Sequence, residues 1–449
     1  MNNLFNSYTL PIPPVRFDIQ RIPIQQNGQS FIHFFDSMGY STPDFALPSE
    51  ADTILSLIDG FRSVEDILKF SSDEVSKEQI LGYVRFLDEH GLLESDYFRI
   101  LSETIESEYE QSCIHRNTTA GISYPIETDK LKVLLNTSFQ NFEQSTPVSS
   151  AKALFAPHID PRVGMSSYVK AFTAIKNLSP KRVVILATSH YSGFYRTLYE
   201  ETPFVISDKI FEMPNGNVKS DLRFLQNLKK LIEIESNLGQ KQILKRVHDD
   251  LDRENLNKKI SSRSKHDSES VNASKFGISF QDRAHRIEHS IELHLLFLNH
   301  FWNHEFEIIP ILVGNLDELL YSKNSFKEQQ VDNFTSLLRE IDNEQTFFLI
   351  SGDLSHVGYK FGDDRVASKM FEEINLNDER FLELGASGCV EKLISLMKEE
   401  YDPYRICGFP PLLSFLKTFP NQKGKVLSYD VWDERDRESA VSFGSILFS

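Results

Sequence analysis

Cysteine is scarce in this chain: Cys113, Cys389 and Cys407 are three of 449 residues. So few, and an odd number, exclude a disulfide framework and point to a reducing compartment. Basic residues are outnumbered, with 48 Lys and Arg against 65 Asp and Glu and a formal net charge of −17. That balance argues against nucleic acid as a general partner, because phosphate binding draws on a local excess of positive charge. No apolar run reaches the roughly 18 residues that a membrane span requires. The first residues, MNNLFNSYTLPIPPVRF, also lack a basic stretch followed by an apolar core. The expectation is a cytoplasmic protein, neither secreted nor membrane-spanning. What remains is typical of a folded chain: 40% apolar and 25% charged residues, at a length that suggests two or three domains.

Helix punctuation is dense in residues 43–95. A segment at 49–58 stops at Gly60, Ser63 with Asp66 reads as a capping box, and Ser76 with Gln79 reads as another. Ile80, Val84 and Leu87 then share one face, and Gly91 ends that helix. Three short helices followed by an extended run at 92–100 predict a small winged-helix-like domain over residues 1–100. Acidic residues such as Asp52, Glu65, Asp66, Glu74 and Glu78 punctuate these helices, which argues against DNA binding.

Residues 101–150 read as a connector and the start of a second domain. From 151 to 449 the rhythm becomes strand, turn, helix, with short β-rich runs at 153–156, 182–187, 306–313, 346–351, 425–430 and 441–448. That alternation predicts an α/β fold with a central sheet flanked by helices. The stretch 237–279 departs from it, mixing charges of both signs with Ser and Asn, and reads as a disordered insertion. His248 and His266 lie inside it and are read as solvated.

Open α/β sheets bind ligands beyond the carboxyl ends of their strands. Three predicted strands end in a histidine: 153–156 runs into His158, 182–187 into His190, and 346–351 into Asp353 and His356. A single such histidine is usually a loop or capping residue, but three together predict a shared site. Cys407 precedes two prolines suited to the first turn of an apolar helix, where a helix N-terminus would stabilise a thiolate. Cys113 and Cys389 lack a comparable setting. A rival lies in HRIEHSIELHLLFL, where His285, Glu288 and His289 spell the H-x-x-E-H of inverted zinc peptidases. That reading needs a downstream acidic ligand, and Glu292 follows too closely to serve well.

The ordered series APHID (156–160), TSHY (188–191), EHSIELHL (288–295), PILVG (310–314), SGDLSH (351–356) and CGFPP (407–411) resembles the Memo family, called AmmeMemoRadiSam system protein B in bacteria. The resemblance begins near residue 114 with AGISYP at 120–125. It implies a fold related to the LigB-like class III extradiol dioxygenases, which are non-haem iron enzymes. It also implies a radical-SAM protein and an AMMECR-type protein as partners. The front segment, DFALPSEADTILSLIDGFRSVEDILKF onward, resembles the PqqD-like winged helices that bind peptides, so a peptide is a candidate partner there. Two departures stand out: APHIDPRVGMSSY lacks the second glycine pattern common after this histidine, and the insertion is longer than usual.

Carried over by motif, the metal ligands are His158, His190 and Cys407, with Asp353 and His356 beside them and His289 near the same pocket. Iron(II) is the expected metal, with copper or zinc as alternatives because a thiolate replaces the carboxylate of the dioxygenases. The expected function is a metal-dependent redox enzyme of unknown substrate. In it His356 acts as general acid/base, Asp353 orients its imidazole and His289 is a further catalytic residue by the resemblance. A non-catalytic metal- or peptide-binding scaffold and a zinc hydrolase using His285 and Glu288 are the other readings.

Overall fold

Asn27 and Gly28 both adopt left-handed backbone, with φ of 52° and 78°. This two-residue loop folds the strand Ile19–Gln26 back onto Gln29–Asp36 in antiparallel register, Gln26 facing Gln29. Ala46–Pro48 adds a third strand. The helices Ala51–Leu55, Val64–Leu68 and Lys77–Glu89 follow, and both predicted capping boxes form, at Ser63 with Asp66 and at Ser76 with Gln79. The expected extended run at 92–100 does not. Ser95 accepts a hydrogen bond from the Phe98 amide and starts a helix, Asp96–Gln111, and what remains of the run is an isolated antiparallel bridge between Leu93 and Val15. In the computed structural model, which describes residues 3–70, 75–230, 232, 275–399 and 401–449, the chain divides into units Met1–Ser112 and Cys113–Ser449.

Among the described residues the second unit is built on a mixed sheet of ten strands. Its order runs Ile278–Ser279, Phe204–Ile206, Glu307–Val313, Arg182–Thr188, Thr346–Ser351, Ala153–Ala156, Ser439–Phe448 and His356–Gly358, with Gly424–Glu434 and Lys219–Ser220 pairing off this path. The four strands Glu307–Val313, Arg182–Thr188, Thr346–Ser351 and Ala153–Ala156 are mutually parallel. They are almost wholly buried, which is why they read as unbroken apolar runs. One apolar cluster lies around the helices Pro161–Ile175 and Glu292–Phe301, and another around Phe326–Glu340 and Phe409–Thr418. The parallel strands all present their carboxyl ends at one edge, which is where the histidines follow.

Most of the predicted insertion, with His248 and His266, lies outside the described residues. Its expected end at 279 is too late. Phe276 and Ile278 are buried, and Ile278–Ser279 pairs with Phe204 and Val205 as an edge strand of the sheet.

Candidate metal centre

The chain following three of the four parallel strands carries a corner of the site, and the start of a helix carries another. His158 follows Ala153–Ala156 and precedes Asp160, whose side chain accepts from the Arg162 amide and caps the helix Pro161–Ile175. His190 follows Arg182–Thr188. Asp353 follows Thr346–Ser351, and Cys407 immediately precedes Gly408, the cap of the helix Phe409–Thr418. The Thr188 hydroxyl donates to the Cys407 carbonyl at 2.8 Å and lies 3.2 Å from the Ser351 carbonyl, tying these ends together. As a result, ligand atoms of His158, His190 and Cys407 lie within 4.8 Å of one another. The Cys407 Sγ is 3.5 Å from His158 Nε2.

Hydrogen bonds behind the two imidazoles decide which nitrogens face inward. The Ser351 hydroxyl gives its single proton to the Ser290 carbonyl at 2.7 Å, so it accepts from His158 Nδ1 at 3.0 Å. His158 therefore carries its proton on Nδ1 and presents the Nε2 lone pair to the cluster. His190 Nδ1 faces a carboxylate, Glu288 Oε1, at 2.9 Å, which fixes a proton on that nitrogen and leaves Nε2 toward Cys407. Such carboxylate or hydroxyl partners behind a metal-binding imidazole fix its tautomer and orientation.

Glu288 is buried, yet burial is outweighed by His190, and its carboxyl is pushed down to about 2. It also accepts from the backbone amides of His190, His289 and Ser290 at 2.8, 3.0 and 3.2 Å. His190, Glu288 and His289 form a second group of ligand-type side chains. With these four N–H donors on its oxygens, however, Glu288 is occupied as an orienting group. Burial pulls the His190 pKa down, but the Glu288 carboxylate and the Cys407 sulfur more than reverse this, leaving it well above the usual value. The expected thiolate at the helix start is not favoured by the protein alone: burial pushes the Cys407 thiol up, and the His190 hydrogen bond offsets only part of that.

His289 stacks on His190, ring centroids 5.0 Å apart, and meets His158 edge-on at 5.5 Å. His190 and His289 are each 29% exposed and His158 only 2%, so the cluster opens to solvent on the side of the stacked pair. His294, a residue the sequence reading passed over, lies behind it. That ring is fully buried against Tyr168 and Phe172, and neither nitrogen has a partner among the described residues.

The proposed Asp353 and His356 relay is not formed. Residues 352–355 are neither helix nor strand, so positions three apart do not share a face. Asp353 Oδ1 instead accepts the amides of His158 and Ile159 at 2.9 and 3.2 Å, and Oδ2 sits 3.7 Å from His158 Nε2. Burial pushes its carboxyl up to about 7. His356 Nδ1 faces two backbone carbonyls, of Leu354 at 2.9 Å and Arg405 at 3.1 Å. Its proton is thereby held on Nδ1 and its Nε2 left as the free nitrogen. Burial lowers its pKa to about 4, so this imidazole is neutral.

The peptidase spacing has no peptidase geometry. His285 lies on a short turn, Arg283–His285, and bonds the Val205 carbonyl through Nε2 at 3.0 Å. The helix that should carry the motif begins only at Glu292. Glu292 itself is fully buried and accepts from Thr118, Thr119 and the Tyr124 hydroxyl, anchoring the 118–124 segment to that helix. Cys113 is exposed and Cys389 caps the helix Val390–Lys398; neither belongs to a ligand group among the described residues.

A MEMO1 family protein of Aquifex aeolicus is 26% identical over 443 residues, covering 97% of this chain and 99% of the relative. One from Thermus thermophilus is 26% identical over 391 residues, covering 85% and 97%. The first of these matches is long enough to take in most of residues 1–112 as well. The family model described as Memo-like protein matches residues 115–244 and 263–447, well over half of the sequence, and the chain belongs to that family.

Proposed function

We propose that this protein is a metal-dependent redox enzyme in which His158, His190 and Cys407 hold iron(II), copper(I) and zinc being the competing occupants. The observation that carries this reading is the fixed orientation of two imidazoles. Ser351 and Glu288 turn both Nε2 atoms toward the Cys407 sulfur, and the three ligand atoms converge from three separate segments. Imidazole and thiolate donors suit these metals, and three protein ligands leave positions open for a substrate. A metal held there would supply Lewis acidity and electron transfer to what binds beside it.

The remaining side chains divide the proton chemistry. His356 Nε2 is the atom free to take or give a proton, since Nδ1 is committed to carbonyls. Asp353 holds a proton near neutral pH beside His158, and His289 stands at the open side. His356→Ala is expected to keep its metal while turnover falls by about 10²–10⁴-fold, the usual worth of a positioned acid/base. Metal analysis after anaerobic purification, followed by oxygen uptake on catechols and candidate peptides, checks this. A metal-free His356→Ala protein that is still folded would place that residue among the ligands instead.

A cytoplasmic location, which keeps Cys407 reduced, belongs to the same proposal, as do a radical-SAM protein and an AMMECR-type protein as partners and a peptide at residues 1–112. Among the described residues no helix is long and apolar enough to cross a membrane. Co-purification of the full chain with each partner class tests the association, and its absence under anaerobic conditions would remove the partners from the proposal.

A further inference from the structure

Three residues shortly before Cys407 have left-handed backbone without being glycine: Tyr401, Asp402 and Arg405, with φ of 56°, 52° and 55°. Side-chain-bearing residues disfavour that region, and a run of them persists only where the surroundings hold it. Part of the holding is local. The Asp402 amide donates to the Met397 carbonyl at 3.1 Å, and both Asp402 carboxylate oxygens accept from the Ile406 amide at 3.1 and 2.9 Å.

The rest of the holding is directed at His356. The His356 amide donates to the Tyr404 carbonyl at 2.7 Å, and its Nδ1 meets the Arg405 carbonyl at 3.1 Å. In return, Arg405 Nε donates to the His356 carbonyl at 2.9 Å. The same guanidinium pairs with Asp363 Oδ2 at 2.5 Å, an oxygen that also accepts the Gly358 amide at 2.7 Å. Strand His356–Gly358 and the turn after it are therefore stitched to residues 401–407 along both main chain and side chain. Two residues beyond Arg405 comes the sulfur of the proposed ligand set.

We propose that Arg405 is a positioning residue that clamps His356 and the Cys407 segment into one rigid unit. The clamp fixes the free nitrogen of His356 and slows release of the metal together. An ordinary surface ion pair would do neither: it would tie two side chains and leave both backbones to move. Arg405 instead bonds the main chain of the residue whose imidazole its own carbonyl orients. This inference rests on the proposed ligand role of Cys407 and acid/base role of His356.

The experiment compares Arg405→Ala, Arg405→Gly and Arg405→Lys in the full chain loaded anaerobically with iron(II). It reads the rate of iron loss to a chelator and the ¹⁵N signature of the His356 tautomer. Arg405→Ala is expected to lose iron about tenfold faster, as substitutions behind a metal ligand do, and to give a mixture of His356 tautomers. Arg405→Gly should behave the same way although glycine accepts the left-handed backbone freely. Arg405→Lys, which can still pair with Asp363, should recover part of both signals. Wild-type iron release and a single tautomer in Arg405→Ala would overturn the clamp. So would normal behaviour of Arg405→Gly beside an impaired Arg405→Ala, which would assign the effect to backbone strain. Should Arg405→Ala fail to fold, Asp363→Asn breaks the clamp at its other end, and wild-type values there count against it. Retention of iron by Cys407→Ser would defeat the ligand reading separately, leaving the tautomer signal to judge Arg405.

Discussion

Replacing Cys407 by serine is expected to leave the protein folded and to strip it of metal. The side chain is only partly buried and sits on a loop, so the exchange of sulfur for oxygen disturbs little packing. What it removes is the softest donor of the set, placed 3.5 Å from His158 Nε2 and accepting the Asp353 amide at 3.3 Å. Loss of a ligand should exceed the roughly 10–100-fold cost of losing a group behind one. His158→Ala should do the same, whereas His285→Ala should keep a full complement, since that ring is bonded to the Val205 carbonyl. Metal content by elemental analysis, with thermal melts to show folding, settles the comparison. Full occupancy in both Cys407→Ser and His158→Ala would end the proposal, and loss confined to His285→Ala would revive the hydrolase.

The pH dependence of the same measurement has a definite sign. Burial holds the Cys407 thiol above its usual pKa, and Glu288 with the sulfur holds His190 above its own. Binding a metal must displace the proton from Sγ and the second proton of His190, since only the free lone pairs can ligate. Affinity should therefore rise with pH, by about tenfold per pH unit for each proton displaced. A flat profile between pH 6 and pH 8 would show that metal binding displaces a proton from neither group.

The strand ends and their histidines were legible because the central parallel strands are buried on both faces and so stand out as short apolar runs before a polar turn. Ser63 and Ser76 were legible because a capping box is a local pattern. The residues that orient the ligands were not. Ser351 sits inside an apolar strand and Ser290 far away in sequence, and nothing local marks one as the acceptor of His158 and the other as the acceptor of Ser351. Glu288 was visible only as part of a helical spacing, and the helix does not exist at that point. The same error of assumed local geometry joined Asp353 to His356. The missed hairpin is different: Asn27–Gly28 between alternating residues was a usable signal. The error at 92–100 arose from reading β-compatible side chains over the capping serine at 95.

Gly352→Ala is expected to be among the most damaging single substitutions at the site, although glycine binds nothing. A methyl group at 352 would lie 2.1 Å from the Gly408 Cα, a distance no pair of non-bonded carbons tolerates, and 3.0 Å from its nitrogen. The obstacle is backbone, so no rotamer can relieve it. On one side is a central strand paired along both edges, and on the other Gly408, whose amide donates to the Asp353 carbonyl at 2.9 Å. A side chain at 408 would likewise strike that carbonyl at 2.8 Å and the Phe155 ring at 2.9 Å, so the approach needs glycine on both sides. The two glycines of SGDLSH and CGFPP are thus a single contact, and it is the contact that lets Cys407 reach the imidazoles. Forcing the segments apart should cost about 1–3 kcal/mol or more in stability, a fall of at least about 1 °C in Tm, together with a large loss of metal affinity. Gly193→Ala is the matched control, near His190 in sequence but with open space where its methyl would go. If Gly352→Ala melts and binds metal as Gly193→Ala does, the close approach of these backbones does not position the cysteine.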